Sequence, residues 1–459
     1  MKSFQQSEAT STETVARELY EFAVELYPIC RSITGEGVRE TLRLVQRRIP
    51  LEIFEVPTGT AVFDWTVPKE WNIRDAYIKD GSGQRIVDFQ KCNLHVLNYS
   101  LPIHAIMPLS AIRPHLFTIA EHPDWIPYRT SYYKEDWGFC LSHNQLLALA
   151  EGEYEVCIDS TLADGAITYA ECFLPGRSKE EILISCHACH PSLANDNLSG
   201  LTVATALARM LSELHSEHRY SYRFLFIPGT IGAITWLARN AENVSRIRHG
   251  LVLTCIGDQA NFHYKKTRRG DAEIDRAMAL VLSQLTEAPE ILDFSPYGYD
   301  ERQYCSPGFN LPVGCLMRSI WGTFPEYHTS ADNLNLIKPR SLAESLQVCL
   351  AVFEVLEKNL NYRNLNPFCE PQLGRRGLYR STGGDSPSDA INARLWVLNL
   401  SDGKHSLLDI AERSRLPFTF ISEAADLLHK NGLLEPSPSS KPGADCSHKK
   451  PRRKTAPAS

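Results

Sequence analysis

Apolar residues recur at helical spacing near the start of the chain. Val15, Leu19, Phe22, Ala23, Leu26 and Tyr27 follow i, i+3, i+4, i+7 steps behind Thr12, a capping residue, which predicts a helix over 12–30. Gly35 and Gly37 break the pattern, and Val38, Leu42, Leu44 and Val45 begin a second helix. The period then drops to two. Val56, Val62, Trp65, Val67, Ile73, Tyr77 and Ile78 lie in short alternating runs between turn signals at 57–59 and 80–83, so 52–165 reads as a β-rich module.

From 153 to 345 strands alternate with helices. Tyr154–Ile158 and Ile167–Phe173 read as a strand pair with its turn at 162–165. Ile182–Ser185, Phe224–Ile227 and Leu251–Ile256 are continuous apolar runs, and helical patterns cover 200–214, 231–240 and 277–285. This alternation predicts an α/β fold with a largely parallel sheet covered on both faces. Residues 363–390 are rich in Pro, Gly and Ser and read as a linker. Residues 391–435 form a compact final module: helical patterns over 406–414 and 418–431 flank Pro417, as in a winged helix-turn-helix. Residues 436–459 read as a disordered, basic tail.

Composition narrows the class. The 459 residues, 43% apolar and 22% charged, fit a globular protein of about three domains. A net charge of −6 gives no overall field for nucleic acid. The second helix of the final module carries Glu423 and Asp426 on its polar side, against a DNA-reading role. Residues 1–13 are polar, and the uncharged stretch 224–238 is interrupted by Pro228, Gly229 and Gly232. No leader or membrane span is expected, so a cytoplasmic protein with its 13 cysteines reduced is.

Candidate chemistry sits at strand ends. The run Cys186-His187-Ala188-Cys189-His190-Pro191 follows a buried strand, and Asp196 lies in the loop beyond it. Ligands of open parallel sheets bind at the carboxyl ends of strands, and imidazoles with a carboxylate suit a zinc-type ion. The alternative is a packed loop with core histidines. Asp258 follows the Leu251 strand, as a ligand, a solvated loop residue or a helix cap. His328 lies in Pro325-Glu-Tyr-His-Thr-Ser-Ala-Asp-Asn333, as a ligand or beside a helix start capped by Ser330 or Asp332.

The order His187, Asn195-Asp196-Asn197, Asp258, His328 resembles the zinc aminopeptidase and carboxypeptidase superfamily. The chain is more similar still to an uncharacterised bacterial branch of aminopeptidase-like proteins. The runs that carry this are Cys30-Arg-Ser-Ile-Thr-Gly-Glu-Gly37, Val67-Pro-Lys-Glu-Trp-Asn72, Cys186–Pro191, Asp300-Glu-Arg-Gln303 and Pro325–Asn333. The resemblance implies a three-layer aminopeptidase-like domain (12–55 and 160–362), interrupted by a β-rich domain (56–159) and followed by a winged helix. It implies one or two zinc ions on His187, Asp196, Asp258 and His328. His190 is an additional candidate ligand and Cys189 a less favoured one.

Two adjacent glutamates follow the second strand in the superfamily, one of them the general base, and the close branch reads Pro-Glu-Thr-Ile-Gly there. This chain reads Pro228-Gly-Thr-Ile-Gly232. Glycine accepts no proton, so Asp300 and Glu301 are the substitute catalytic candidates, with Arg302 and Tyr327 as substrate-binding residues. The expected function is metal-dependent hydrolysis of an amide bond in a small amino-acid-containing or peptide-like substrate. The alternatives are a metal-binding pseudoenzyme or ligand-binding paralogue, and a winged-helix regulator. Neither a membrane nor nucleic acid is an expected partner; a homo-oligomer is compatible.

Overall fold

The structure, a computed structural model, describes residues 9–213, 218–378 and 388–437. The chain divides into two units, Met1–Glu357 and Lys358–Ser459. In the first, α1 (Ala9–Leu26) buries Leu19, Phe22, Ala23 and Leu26, and α2 (Glu36–Gln46) buries Val38, Leu42 and Val45. These are the stripes that the helical period marks. Gly35 separates them at φ +95, and a Cβ there would stand 2.1 Å from the Trp71 carbonyl oxygen.

After β1 (Glu52–Pro57) come β2 (Glu70–Lys79), β3 (Arg85–Asp88), β4 (Ile103–Pro108) and β5 (Glu153–Ala163). The last four form an antiparallel sheet in the order β3-β2-β5-β4. The chain continues through β6 (Ala166–Leu174), β7 (Glu181–His187), α3 (Gly200–Ser212), β8 (Ser221–Ile227), α4 (Ile231–Asn240) and β9 (Ile247–Leu253). Then follow β10 (His263–Lys265), α5 (Glu273–Leu285), β11 (Glu290–Leu292), β12 (Val313–Met317) and α6 (Pro339–Lys358).

The main sheet has eight strands in the order β1-β6-β8-β7-β9-β12-β10-β11. Its middle strands β8, β7, β9 and β12 are parallel, while β1 and β6 on one side and β10 on the other run antiparallel to their inner neighbours. β7 and β12 are buried at every position, as strands covered on both faces must be. From β7 the chain moves to β8 on one side, then crosses back to β9 on the other. That reversal opens a crevice at the carboxyl end of β7, where ligands of such sheets bind.

The strand pair expected of Tyr154–Ile158 and Ile167–Phe173 is not made. β5 pairs with β2 and β4, whereas β6 pairs with β1 and β8 in the main sheet. Burial explains the split. β5 alternates buried and half-buried positions, but β6 is buried at all but one, so it needs cover on both faces. Asp164-Gly165 is the crossing between sheets, not a hairpin turn.

The second unit contains β13 (Asn361–Asn364), α7 (Asp389–Leu400), β14 (Asp402–Ser406), α8 (Leu407–Ser414), α9 (Phe418–Lys430) and β15 (Leu434–Pro436). Its sheet runs β14-β13-β15, the wing of a winged helix. Ser406 and Asp409 cap α8 reciprocally, and Arg415 at φ +58 ends it. The end of β13 lies inside the segment read as a linker: its partners come from about 40 and 70 residues further on, beyond the reach of local composition. The middle of that segment, 379–387, and the tail from 438 are outside the described residues. Among the described residues no helix is long and apolar enough to cross a membrane.

Candidate metal centre and active site

His187 is the last residue of β7, and Asp196 lies in the tight turn Ala194–Ser199 that leads into α3. The donor atoms of His187, His190 and Asp196 all lie within 4.8 Å of one another. His187 Nε2 is 2.9 Å from Asp196 Oδ1, and His328 Nε2 is 3.0 Å from Asp196 Oδ2. His190 Nδ1 stands 3.9 Å from that same Oδ2. One buried carboxylate therefore offers one oxygen to His187 and the other to His328 and His190.

The charges fit this geometry. Burial alone would raise Asp196, but the adjoining His190 and His187 rings and hydrogen bonds from His187 and His328 hold it well below the usual carboxylate range. Burial pushes His190 well below the ordinary imidazole value, so the ring is neutral. Its Nδ1 is buried and has no hydrogen-bond partner. A buried polar atom left unpaired costs about 1–3 kcal/mol. Three imidazoles around one buried carboxylate, one of them with an orphaned nitrogen, fit a divalent metal of zinc type.

The loop is braced from behind. Asp332 accepts hydrogen bonds from the backbone N–H groups of Asn195 (2.6 Å) and Asp196 (3.0 Å). Full burial pushes the Asp332 carboxyl up to about 8, against those two donors. Asn195 donates through Nδ2 to Asp258 Oδ2 at 2.5 Å and accepts from the Gly257 N–H at 2.8 Å. Asp258 thus bonds to the amide behind the His187–Asp196 loop and lies outside the cluster of His187, His190 and Asp196. Asn195→Ala takes away the partners of Asp258 Oδ2 and of the Gly257 N–H, while Asp258 Oδ1 still accepts from the Ala260 N–H. It is expected to cost on the order of 3 kcal/mol in urea unfolding.

Aromatic rings close the cluster. Tyr299 donates to Asp196 Oδ1 at 2.6 Å and stacks on His187, centroids 4.4 Å apart. Tyr327 stacks on His328 at 3.9 Å, and its hydroxyl lies 3.0 Å from that of Tyr299. Tyr128, from the segment between β4 and β5, stands edge-on to both His190 (5.2 Å) and His328 (5.1 Å). Its N–H donates to the His328 carbonyl at 2.7 Å. Tyr299 and Tyr128 were not legible as site residues. Tyr299 adjoins the Asp300 run, but no local signal ties Tyr128 to histidines 60 and 200 residues away.

β8 ends at the neighbouring position. Thr230, a β-branched residue at φ +61, begins α4 and donates its N–H to Asp300 Oδ1 at 2.6 Å. Burial raises Asp300 to about 6, while the charge of His187 and the Thr230 N–H pull it down. A Cβ on Gly229 would meet Cys189 Sγ at 3.5 Å and His187 Cβ at 3.7 Å, both ordinary contacts. Burial pushes the Cys189 thiol up to about 12, which keeps it protonated and a poor ligand. Arg302 Nη2 lies 3.5 Å from Thr230 Oγ1, and its Nε is buried without a partner. Glu301 turns away and pairs with Lys265 at 2.6 Å.

The structure therefore brings His187, His190, Asp196, His328 and Tyr327 together and sets Asp300 and Arg302 at the adjoining strand end. It gives Asp258 and Glu301 other partners: neither carboxylate lies in the His187–His190–Asp196 cluster, because each is already bonded to a neighbouring loop or strand. No helix starts at Ser330 or Asp332; the next begins at Pro339.

The largely parallel sheet, with this cluster at its strand ends, has an aminopeptidase-like fold. The chain belongs to the family described as "Domain of unknown function (DUF4910)", which it matches over residues 20–359, and residues 360–436 match a winged helix-turn-helix family. A Clostridium acetobutylicum protein named "Putative polysaccharide biosynthesis protein with aminopeptidase-like domain" is 53% identical over 427 residues, 93% of this chain and 97% of that one. The crystal structure of a "putative peptidase" from Clostridium acetobutylicum superposes with TM-score 0.88 at 50% identity, covering 93% of this chain and 98% of that one. A zinc aminopeptidase from Bacillus subtilis gives TM-score 0.53 at 10% identity over 74% of this chain and 94% of that one. A peptidase M28 precursor from Shewanella amazonensis gives 0.52 at 14% over 76% and 97%. The last two show the shared fold.

Proposed function

We propose that the protein is a zinc-dependent hydrolase of an amide bond in a small amino-acid-containing substrate, with one ion held by His187, His190, Asp196 and His328. The observation that carries this is three imidazoles converging on the two oxygens of one buried carboxylate. Three nitrogens and one oxygen are a donor set for a single zinc. A second ion lacks its carboxylates, since position 229 is glycine and Asp258 bonds to Asn195.

When bound, zinc supplies Lewis acidity to a scissile carbonyl and acidifies water. Asp300 is the proton acceptor, a buried carboxyl near the working pH. Arg302, with its unpaired buried Nε, anchors an anionic group of the substrate, and Tyr327 flanks it. A second reading, a metal-binding protein that recognises its ligand without cleaving it, is favoured by Gly229.

Metal analysis joined to a screen of aminoacyl amides tests both. About one zinc per chain is expected, lost in Asp196→Ala, with turnover in the loaded protein. Zinc without turnover favours the second reading. A wild-type protein that binds no zinc overturns both.

A further inference from the structure

Lys265 and Glu301 form an ion pair that the proposed reaction does not use. Their side chains are 2% and 0% exposed, and Nζ lies 2.6 Å from Oε1. The same ammonium donates to the Tyr297 carbonyl at 2.7 Å and sits over the rings of Trp321 (5.1 Å) and Phe294 (5.3 Å). It thus ties together both ends of the turn Tyr297–Glu301. Inside that turn, Gly298 leaves room for the pair: a Cβ there would stand 2.2 Å from Glu301 Oε1 and 2.7 Å from Lys265 Nζ. The next two residues face the site. Tyr299 reaches Asp196, and Asp300 accepts from the Thr230 N–H.

Burying two charges is expensive, and an apolar pair of similar volume stabilises a fold as well or better. Glu301 Oε2 has no partner, so Lys265 alone compensates this carboxylate. A pair that is poor value for stability and spans the turn carrying two site residues acts on their geometry. We propose that Lys265 and Glu301 are positioning residues that clamp the 297–301 turn and hold Tyr299 and Asp300 against the metal cluster. The catalytic consequence rests on the hydrolase reading; the clamp does not.

Lys265→Met and the charge-free double variant Lys265→Met/Glu301→Leu, made in the full chain, test this. The double variant leaves neither charge unpaired, so it serves where the single one fails to fold. Amide hydrogen exchange across 298–302 is expected to speed up tenfold or more, with protection of 181–187 and zinc content unchanged. In the zinc-loaded protein kcat is expected to fall 10- to 100-fold with KM little altered, and Lys265→Arg is expected to recover part of it. Unchanged exchange at 298–302 in a folded double variant overturns the clamp, whatever the protein catalyses. Faster exchange in a protein whose wild type hydrolyses nothing supports the clamp and overturns the hydrolase reading instead.

Discussion

Asp300→Asn is expected to lower kcat/KM for amide hydrolysis by roughly 10²–10⁴, with one zinc per chain retained. Asparagine keeps the shape of the side chain, and its Oδ1 still accepts the Thr230 N–H that Asp300 holds at 2.6 Å. The strand end and the unusual Thr230 backbone therefore stay in place, and only proton acceptance is lost. The pH profile gives a second signature. Burial raises Asp300 to about 6. It must be ionised to accept a proton, so kcat/KM rises with pH through about 6 and levels off above it. That limb is expected to vanish in the asparagine variant, whereas an exposed carboxylate would give a limb near 4. The same shift bears on stability. The folded pKa lies above the ordinary 3.8, so between 3.8 and about 6 the folded state holds more protons and this group's contribution falls as pH rises. Wild-type kcat/KM in Asp300→Asn would remove Asp300 from the base role.

The legible parts of the site are those written within one strand end. His187, His190 and Asp196 fall within ten residues, after an apolar run that must be a buried strand. His328 shares a polar run of its own, and the structure joins it to Asp196. Asp258 shows the limit of such reasoning. Its position after β9 follows from the sequence, but not whether it meets a metal or the Asn195 amide. Asp300 and Glu301 show it again. They open a short helix, where successive side chains point about 100° apart, so only Asp300 faces Thr230 while Glu301 meets Lys265. The β5–β6 turn failed for a related reason: a tight turn joins two strands but does not say that both belong to one sheet. Tyr128 and Lys265 depend on contacts across the fold, which no period or motif records.

Gly229→Glu in the Asp300→Asn background is expected to restore about 10²-fold of the lost rate. The backbone permits the change. Gly229 lies outside the left-handed region, and the nearest atoms to a new Cβ are Cys189 Sγ at 3.5 Å, His187 Cβ at 3.7 Å and His187 Cγ at 3.9 Å. None must move, and the Gly229 N–H keeps its bond to Cys189 Sγ. The new carboxylate would border His187 and Cys189, the side chains on which the charge of Asp300 also acts. The two positions thus offer one base from two directions, and the branch that this sequence resembles carries its glutamate at 229. In the wild-type background the gain is expected to be smaller. Two carboxylates beside each other raise one another's pKa, and part of the added glutamate stays protonated at neutral pH. Measuring kcat/KM for the wild type, both single variants and the double one gives the coupling directly. A strongly favourable coupling identifies one shared role filled from either position. If the double variant is no faster than Asp300→Asn while zinc is retained, position 229 has no reach to the scissile bond. The base role then rests on Asp300 alone.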